Sequence, residues 1–200
     1  MKFIYLLLFA MCTFSIPVSA QKNNSAYTKS IKAYQENYIN THEVVKEKDR
    51  KYFRFFPISN AYQVNCNFEK ITDSTGFTMK TSGNGIRKYF KYGKLSFSIR
   101  DTALQLFIYQ SEDLLSNKQY SNYLFVPFTD LTTGDESYGS GRYIEFYTNE
   151  IISNKITIDF NKSYNPYCAY VTGYRCPIPP KENNLPVAIK AGEMIFGKTH

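Results

Sequence analysis

Tryptophan is missing from this 200-residue chain, and histidine occurs twice, at His42 and His200. The first absence leaves 18 tyrosines and 16 phenylalanines as the aromatic material of any core, a composition that suits strands carrying hydroxyl-tipped rings. The scarcity of histidine removes most nucleophilic and metal chemistry. His200 is the terminal residue, where ordering is weak by default. His42-Glu43 opens like the metalloprotease helix motif, but that motif needs a second histidine four positions on, and residue 46 is lysine. A Gly-x-Ser-x-Gly elbow is also missing, so a Ser or Cys triad would have to be built around His42, and packing on a helix face is its simpler role. No metal site and no cofactor is expected. Runs of about five or six like charges are absent too. The 24 Lys and Arg against 17 Asp and Glu leave a net charge of +7, scattered along the chain. That distribution describes a solubilised surface, and no nucleic-acid partner is expected.

What is present begins with a leader. Met1-Lys2 is followed by an apolar stretch from Phe3 to Phe14 and by Val18-Ser19-Ala20, small residues at the spacing a signal peptidase uses. A membrane anchor is the competing reading. The apolar stretch falls short of the ~20 residues that span a bilayer, however, and polar Gln21-Lys22-Asn23-Asn24 follows directly. Cys12 follows Met11 rather than a small residue, which argues against lipidation. Residues 1–20 are therefore expected to be removed and residues 21–200 exported, to the periplasm or the medium, without a stable membrane anchor. Loss of Lys2 lowers the net charge by one, to +6. The remainder suffices for one domain with a real core and is short for two.

One helix is expected. Ile31, Tyr34, Tyr38, His42 and Val45 recur at three-or-four spacing, so residues ~28 to 49 read as an amphipathic helix. After Pro57 the period changes to two: Tyr62, Val64, Cys66 and Phe68 alternate with polar residues, as do Phe77 and Met79, before a Gly83-Asn84-Gly85 turn. Leu95, Phe97 and Ile99, then Leu104, Leu106 and Ile108 across Arg100-Asp101, predict two hairpins between about 86 and 109. Leu124, Val126 and Phe128 form a further strand, which Pro127 assigns to an edge or a bulge. Ile144 with Phe146, and Ile156 with Ile158 and Phe160, mark two more. Eight or more short strands and one leading helix predict a mainly β fold, an antiparallel β-sandwich or barrel with one N-terminal amphipathic helix.

Three cysteines follow the leader. Cys66 shares a strand face with Val64 and Phe68 and reads as a buried thiol. Cys168 and Cys176 lie in the short run 164–180, in which Pro166, Pro177, Pro179 and Pro180 forbid a regular ladder. In an oxidising compartment a disulfide between them is the expectation, contributing roughly 2.5 kcal/mol by chain entropy. Two unpaired buried thiols, or a reactive or metal-binding pair, are the alternatives, although neither Cys-x-x-Cys nor a zinc spacing is present.

The stretches LFVPFTDLTTGDESYGSGRYIEF (124–146) and DFNKSYNPYCAYVTGYRCPIPPKENNLPVAIKAGE (159–193) resemble the two signature blocks of the bacterial domain-of-unknown-function family numbered 1684. The resemblance covers about residues 30–196 and includes Phe56-Pro57-Ile58 and Met79-Lys80-Thr81-Ser82-Gly83. It implies an exported bacterial protein and brings no reaction with it. Within the blocks, Arg142 shares parity with Ile144 and Phe146, so it should point inward, where a guanidinium demands a carboxylate. Asp130, Asp159 and Glu193 are the candidates. One reading is a structural ion-pair network that holds the proline-rich segment. The other is a ligand site in which Arg142 grips an anion while Asp159, Asn161 and Tyr138 orient it, with Asn165, Asn183 and Glu193 nearby. Two functional hypotheses follow: an exported, non-enzymatic β-domain binding a small molecule or an envelope partner, and a hydrolase using paired carboxylates as acid and base.

Overall fold

The computed structural model describes residues 18–83 and 85–198, with side chains from Ser25 onward. The leader expected over 1–20 therefore lies outside the described residues, except for its last three, which begin a helix. That helix, α1 (Val18–Thr41), starts earlier than expected and stops earlier as well. Past Thr41 the chain turns, with the Val45 N–H donating to His42 Nδ1 at 3.2 Å, and resumes as a 3-10 turn over Glu47–Tyr52. Val45 is drawn into a cluster with Phe53, Ala169, Tyr170 and Phe196, and this packing overrides the helical period that the sequence carries to residue 49. Along α1, Ile31 is buried, while Tyr27 and Tyr34 hydrogen-bond Asp159 and the Lys162 carbonyl.

The remaining regular elements are β1 (Gln63–Lys70), β2 (Phe77–Lys80), β3 (Ile86–Ile99), β4 (Thr102–Ser111), the short α2 (Glu112–Leu115), β5 (Tyr123–Phe128), β6 (Arg142–Tyr147) and β7 (Lys155–Asp159). They form one antiparallel sheet in the order β6-β5-β4-β3-β1-β7, with β2 on β3, curled into a half-barrel. The expected sandwich or closed barrel is thus a single curled sheet. Part of its closure comes from irregular chain: Tyr164, beyond β7, bridges back to Tyr143 of β6.

Seven strands replace the eight or more expected because β3 runs 14 residues through a bulge. The register with β4 shifts between Lys91 and Gly93, which reverses the face presented on either side. Leu95, Phe97 and Ile99 enter the main core on what we term the inner face, together with Leu104, Leu106 and Ile108. Tyr89, before the bulge, packs on the outer face with Tyr109, Phe125 and Tyr143. Gly93 is required at the bulge, since a Cβ there would lie 2.2 Å from the Phe68 ring. The Arg100-Asp101 turn has both residues at positive φ, 47° and 64°, the geometry whose twist matches a tight hairpin.

β5 lies between β4 and β6, so of the edge or bulge that Pro127 suggested the edge is excluded. The β4–β5 ladder is reduced to the pair Tyr109 and Phe125, and the side-chain amide of Asn183 is inserted beyond it. Its Oδ1 accepts from the Phe107 N–H at 2.8 Å, and its Nδ2 donates to the carbonyls of Phe107 (2.9 Å) and Pro127 (2.7 Å). The tail that carries Asn183 then seals the inner face with Leu185, Ile189 and Ala191.

Candidate functional site

Arg142 does point inward, and its guanidinium has no solvent exposure. Nη2 donates to Asp130 Oδ2 at 2.7 Å and to the Ile189 carbonyl at 2.9 Å; Nη1 donates to the carbonyls of Ala191 (2.6 Å) and Glu193 (3.2 Å). The group lies over the Phe56 and Phe128 rings at 5.6 and 5.3 Å. Asp130 in turn accepts from the N–H groups of Thr132 and Ile189. One buried cation thus holds alternate carbonyls of the tail from 189 to 193.

The other expected site residues form neighbouring networks. The Glu193 carboxylate accepts from the Asn165 N–H (2.9 Å), Tyr170 OH (2.7 Å) and Tyr38 OH (3.2 Å). Burial pushes its titration up to about 7, opposed by the Asn165 and Tyr170 hydrogen bonds. Asn165 also donates to the Met194 carbonyl. Asp159 and Asn161 bond each other, Tyr27 and the Ser59 backbone; no hydrogen bond between them and Arg142 is formed among the described residues. Tyr138 packs on the Val45–Tyr170 cluster. Cys168 and Cys176 are joined by a disulfide, and Cys66 is a buried free thiol.

A second assembly lies on the outer face. Arg87 and Tyr89 from the first half of β3, Tyr123 and Phe125 from β5, and Tyr143 and Glu145 from β6 share this face, together with α2 and the 164–177 segment. They line a partly open cavity of about 440 Å³, within the usual size of small-molecule sites. Its walls are aromatic: Tyr89 stacks on Phe125, which meets Tyr143 edge-on at 4.7 Å, and Tyr143 meets Tyr164 at 5.9 Å. The Tyr164 hydroxyl donates to Glu145 Oε1, and Tyr123 faces the same carboxylate. Burial first, and that carboxylate next, hold the Tyr123 phenol well above its ordinary value, so it remains a donor. One wall is the disulfide segment: Tyr174, Arg175, Cys176 and Pro177 line the cavity, and the Tyr143 hydroxyl donates to the Pro177 carbonyl. Arg87, Arg175, Asp113 and Glu145 all line it, yet none of them takes part in an ion pair among the described residues.

Sequence reasoning missed this cavity. The available signal was that β5 and β6 carry large aromatic residues on both parities, which an open, solvent-facing surface does not need. Among the described residues no group of three or more His, Cys, Asp or Glu is disposed to hold a metal ion, and no helix is long and apolar enough to cross a membrane.

Fold and site together define a class: a curled antiparallel sheet sealed on one face by its own tail and hollowed on the other. The chain belongs to the family described as Protein of unknown function (DUF1684), which matches residues 49–194. It is also similar to the solution NMR structure of an uncharacterized protein of Haloarcula marismortui, with 28% identity, 86% of this chain and 96% of that chain covered, and a TM-score of 0.64. No protein of curated function matches.

Proposed function

We propose that the chain is an exported small-molecule-binding β-domain whose site is the tyrosine-walled cavity of the outer face. The observation that carries this reading is a contrast between two polar clusters. Around Arg142 the charges are buried and matched within the protein, as a structural clamp requires. Around the cavity, charges of both signs stand beside aromatic walls with no ion pair among the described residues. Convergent polar groups on a concave apolar surface are what a ligand site needs. The leader pattern and the cross-linked cysteines support export into an oxidising compartment. We read α1 as an amphipathic strap, with Tyr27, Ile31, Tyr34 and Tyr38 on the face turned to the domain. Acid and base catalysis by Asp130, Asp159 or Glu193 is less well supported, because Asp130 is committed to Arg142 and Glu193 has no exposed surface.

The absence of tryptophan allows a clean test. Leu114, on the cavity wall, is replaced in Leu114→Trp as the sole tryptophan, excited selectively over the tyrosines, with Ile152→Trp, at a position 70% exposed and outside the cavity, as control. A metabolite library is screened by thermal shift, since a ligand that binds only the folded state raises apparent stability. Compounds that raise Tm should change the emission of Leu114→Trp and leave the control unchanged. If no stabilising compound perturbs that reporter, the cavity is not a binding site.

A further inference from the structure

We propose that the cavity's ligand is a short peptide with free termini, its ammonium placed at Glu145 among the tyrosine rings and its carboxylate at Arg87 and Arg175. This rests on the binding reading above and specifies its ligand. Charge comes first. Two acidic and two basic side chains line one cavity, and no ion pair forms between them among the described residues. A ligand of one sign would satisfy half of that set and be repelled by the other half. A dipolar ligand satisfies both.

The polarity of the site is set by the sheet. Glu145 lies on β6, opposite Phe125 in the ladder, beneath hydroxyls of Tyr123 and Tyr164. A carboxylate framed by electron-rich rings is a site for an ammonium group. Arg87 is on β3, and the Arg175 stem packs against Gly85 just before that strand, within 3.3 Å of where a Cβ there would sit. Across the ladder Glu145 lies level with Phe125, Tyr109 and Lys91, so Arg87 is offset from it by three strand spacings, about 14 Å, across the sheet and by four residues, about 13 Å, along it. Arginine side chains reaching inward shorten that gap, but not to the span of a free amino acid. Two or three residues, at roughly 3.3–3.6 Å each, bridge it. Between the ends, Phe125 and Tyr143 present ring surface to the peptide's middle, which favours an aromatic or aliphatic side chain there.

The probes are the dipeptide L-phenylalanyl-L-alanine, its N-acetyl form, which lacks the ammonium, and its C-terminal amide, which lacks the carboxylate. Binding is followed by titration calorimetry and by the tyrosine resonances of the purified protein. Glu145 and Arg175 are both exposed, so Glu145→Gln and Arg175→Gln should fold as the wild type does, which circular dichroism verifies. N-acetylation should weaken binding at least tenfold, and Glu145→Gln should do the same for the parent dipeptide while leaving the N-acetyl form unaffected, because both changes remove one contact. Amidation should weaken binding at least tenfold in the wild type and by less in Arg175→Gln, where Arg87 alone still meets the carboxylate. If the blocked forms bind as well as the parent, the zwitterion assignment is wrong. It is equally wrong if library compounds act on the Leu114→Trp reporter while free peptides do not, an outcome that leaves the binding reading standing. Failure of every compound to reach the reporter sinks both.

Discussion

Glu193 and His42 press on the same two phenols from different sides and titrate against each other. The Glu193 carboxyl bonds Tyr38 and Tyr170, and the His42 ring lies 5.2 and 4.6 Å from those rings. Burial raises Glu193 to about 7, whereas an unfolded glutamate titrates near 4.3. Between these values the folded chain keeps a proton that the unfolded chain has released, so this group's contribution falls as pH rises and is level above about 7. For His42 the order is reversed. Burial, and then the charge of Arg50, lower it to about 4 against the opposing pull of Glu43, so its contribution is present above about 6.5 and is lost as pH falls toward 4. Over roughly pH 4.5 to 6.5 the two slopes oppose each other. Glu193→Gln removes one of them. The unfolding free energy of the variant minus that of the wild type, from urea titrations at a series of pH values, should rise by up to about 1.4 kcal/mol per pH unit between about 4.5 and 7 and then stop rising. A difference that does not change with pH would mean that Glu193 is ionised in the fold throughout that range.

At the scale of elements, one amide side chain does the work of a missing ladder. Asn183 occupies the gap between β4 and β5, where Pro127 has no N–H to offer, and satisfies one donor and two acceptors there. Asn183→Ala leaves those backbone groups buried without partners and should cost about 2–4 kcal/mol. Asn184→Ala, one residue on and exposed, loses only a surface bond to Thr129 and should cost less than about 0.5 kcal/mol. Chemical denaturation of the two variants gives the comparison, and equal costs would show that water or a local shift replaces the Asn183 amide. The same region marks what sequence can disclose. β1 and the first half of β4 were legible because one face is buried there and the period of two is kept. Of the two readings left open for β5, the edge fails because a proline's missing donor implies an edge only if nothing distant supplies the bond, and here a residue 56 positions away does. The bulge in β3 was hidden because Lys91-Tyr92-Gly93 carries no local pattern for it; the Phe68 ring over Gly93 fixes it from another strand.

Over the whole molecule the sheet separates two tasks, and the chain after β7 serves both. Residues 185–191 complete the inner core, and the cross-linked 168–176 segment walls the outer cavity. The pairing of Arg142 with Asp130 could be anticipated because strand parity and the demand of a buried guanidinium for a carboxylate are both readable along the chain; of the other candidates, Glu193 meets Arg142 only through its backbone carbonyl and Asp159 bonds Tyr27 and Asn161 instead. The cavity could not, because its wall residues come from four strands, α2 and an irregular segment, and each one alone looks like a surface tyrosine or charge. The separation has a measurable consequence. The disulfide segment is tied to β2 and β6 on the outer side, through Ser82 N–H to the Cys176 carbonyl, Ile178 N–H to the Lys80 carbonyl, and Tyr143 to Pro177. Cys66 sits on the inner face with 1% exposure, and burial pushes its thiol up to about 12, which leaves almost no thiolate near neutral pH. In the native protein under reductant, a thiol reagent should therefore modify the half-buried Cys168 quickly, the more buried Cys176 more slowly, and Cys66 only at the rate of global unfolding, at least about a hundredfold slower than Cys168. Without reductant, denatured protein lacking residues 1–20 should label at Cys66 alone. Mass spectrometry of the labelled peptides reads both experiments. Equal rates at all three cysteines in the reduced native state would mean that the disulfide holds the inner core as well as the cavity wall, and that the two faces of the sheet are not independent.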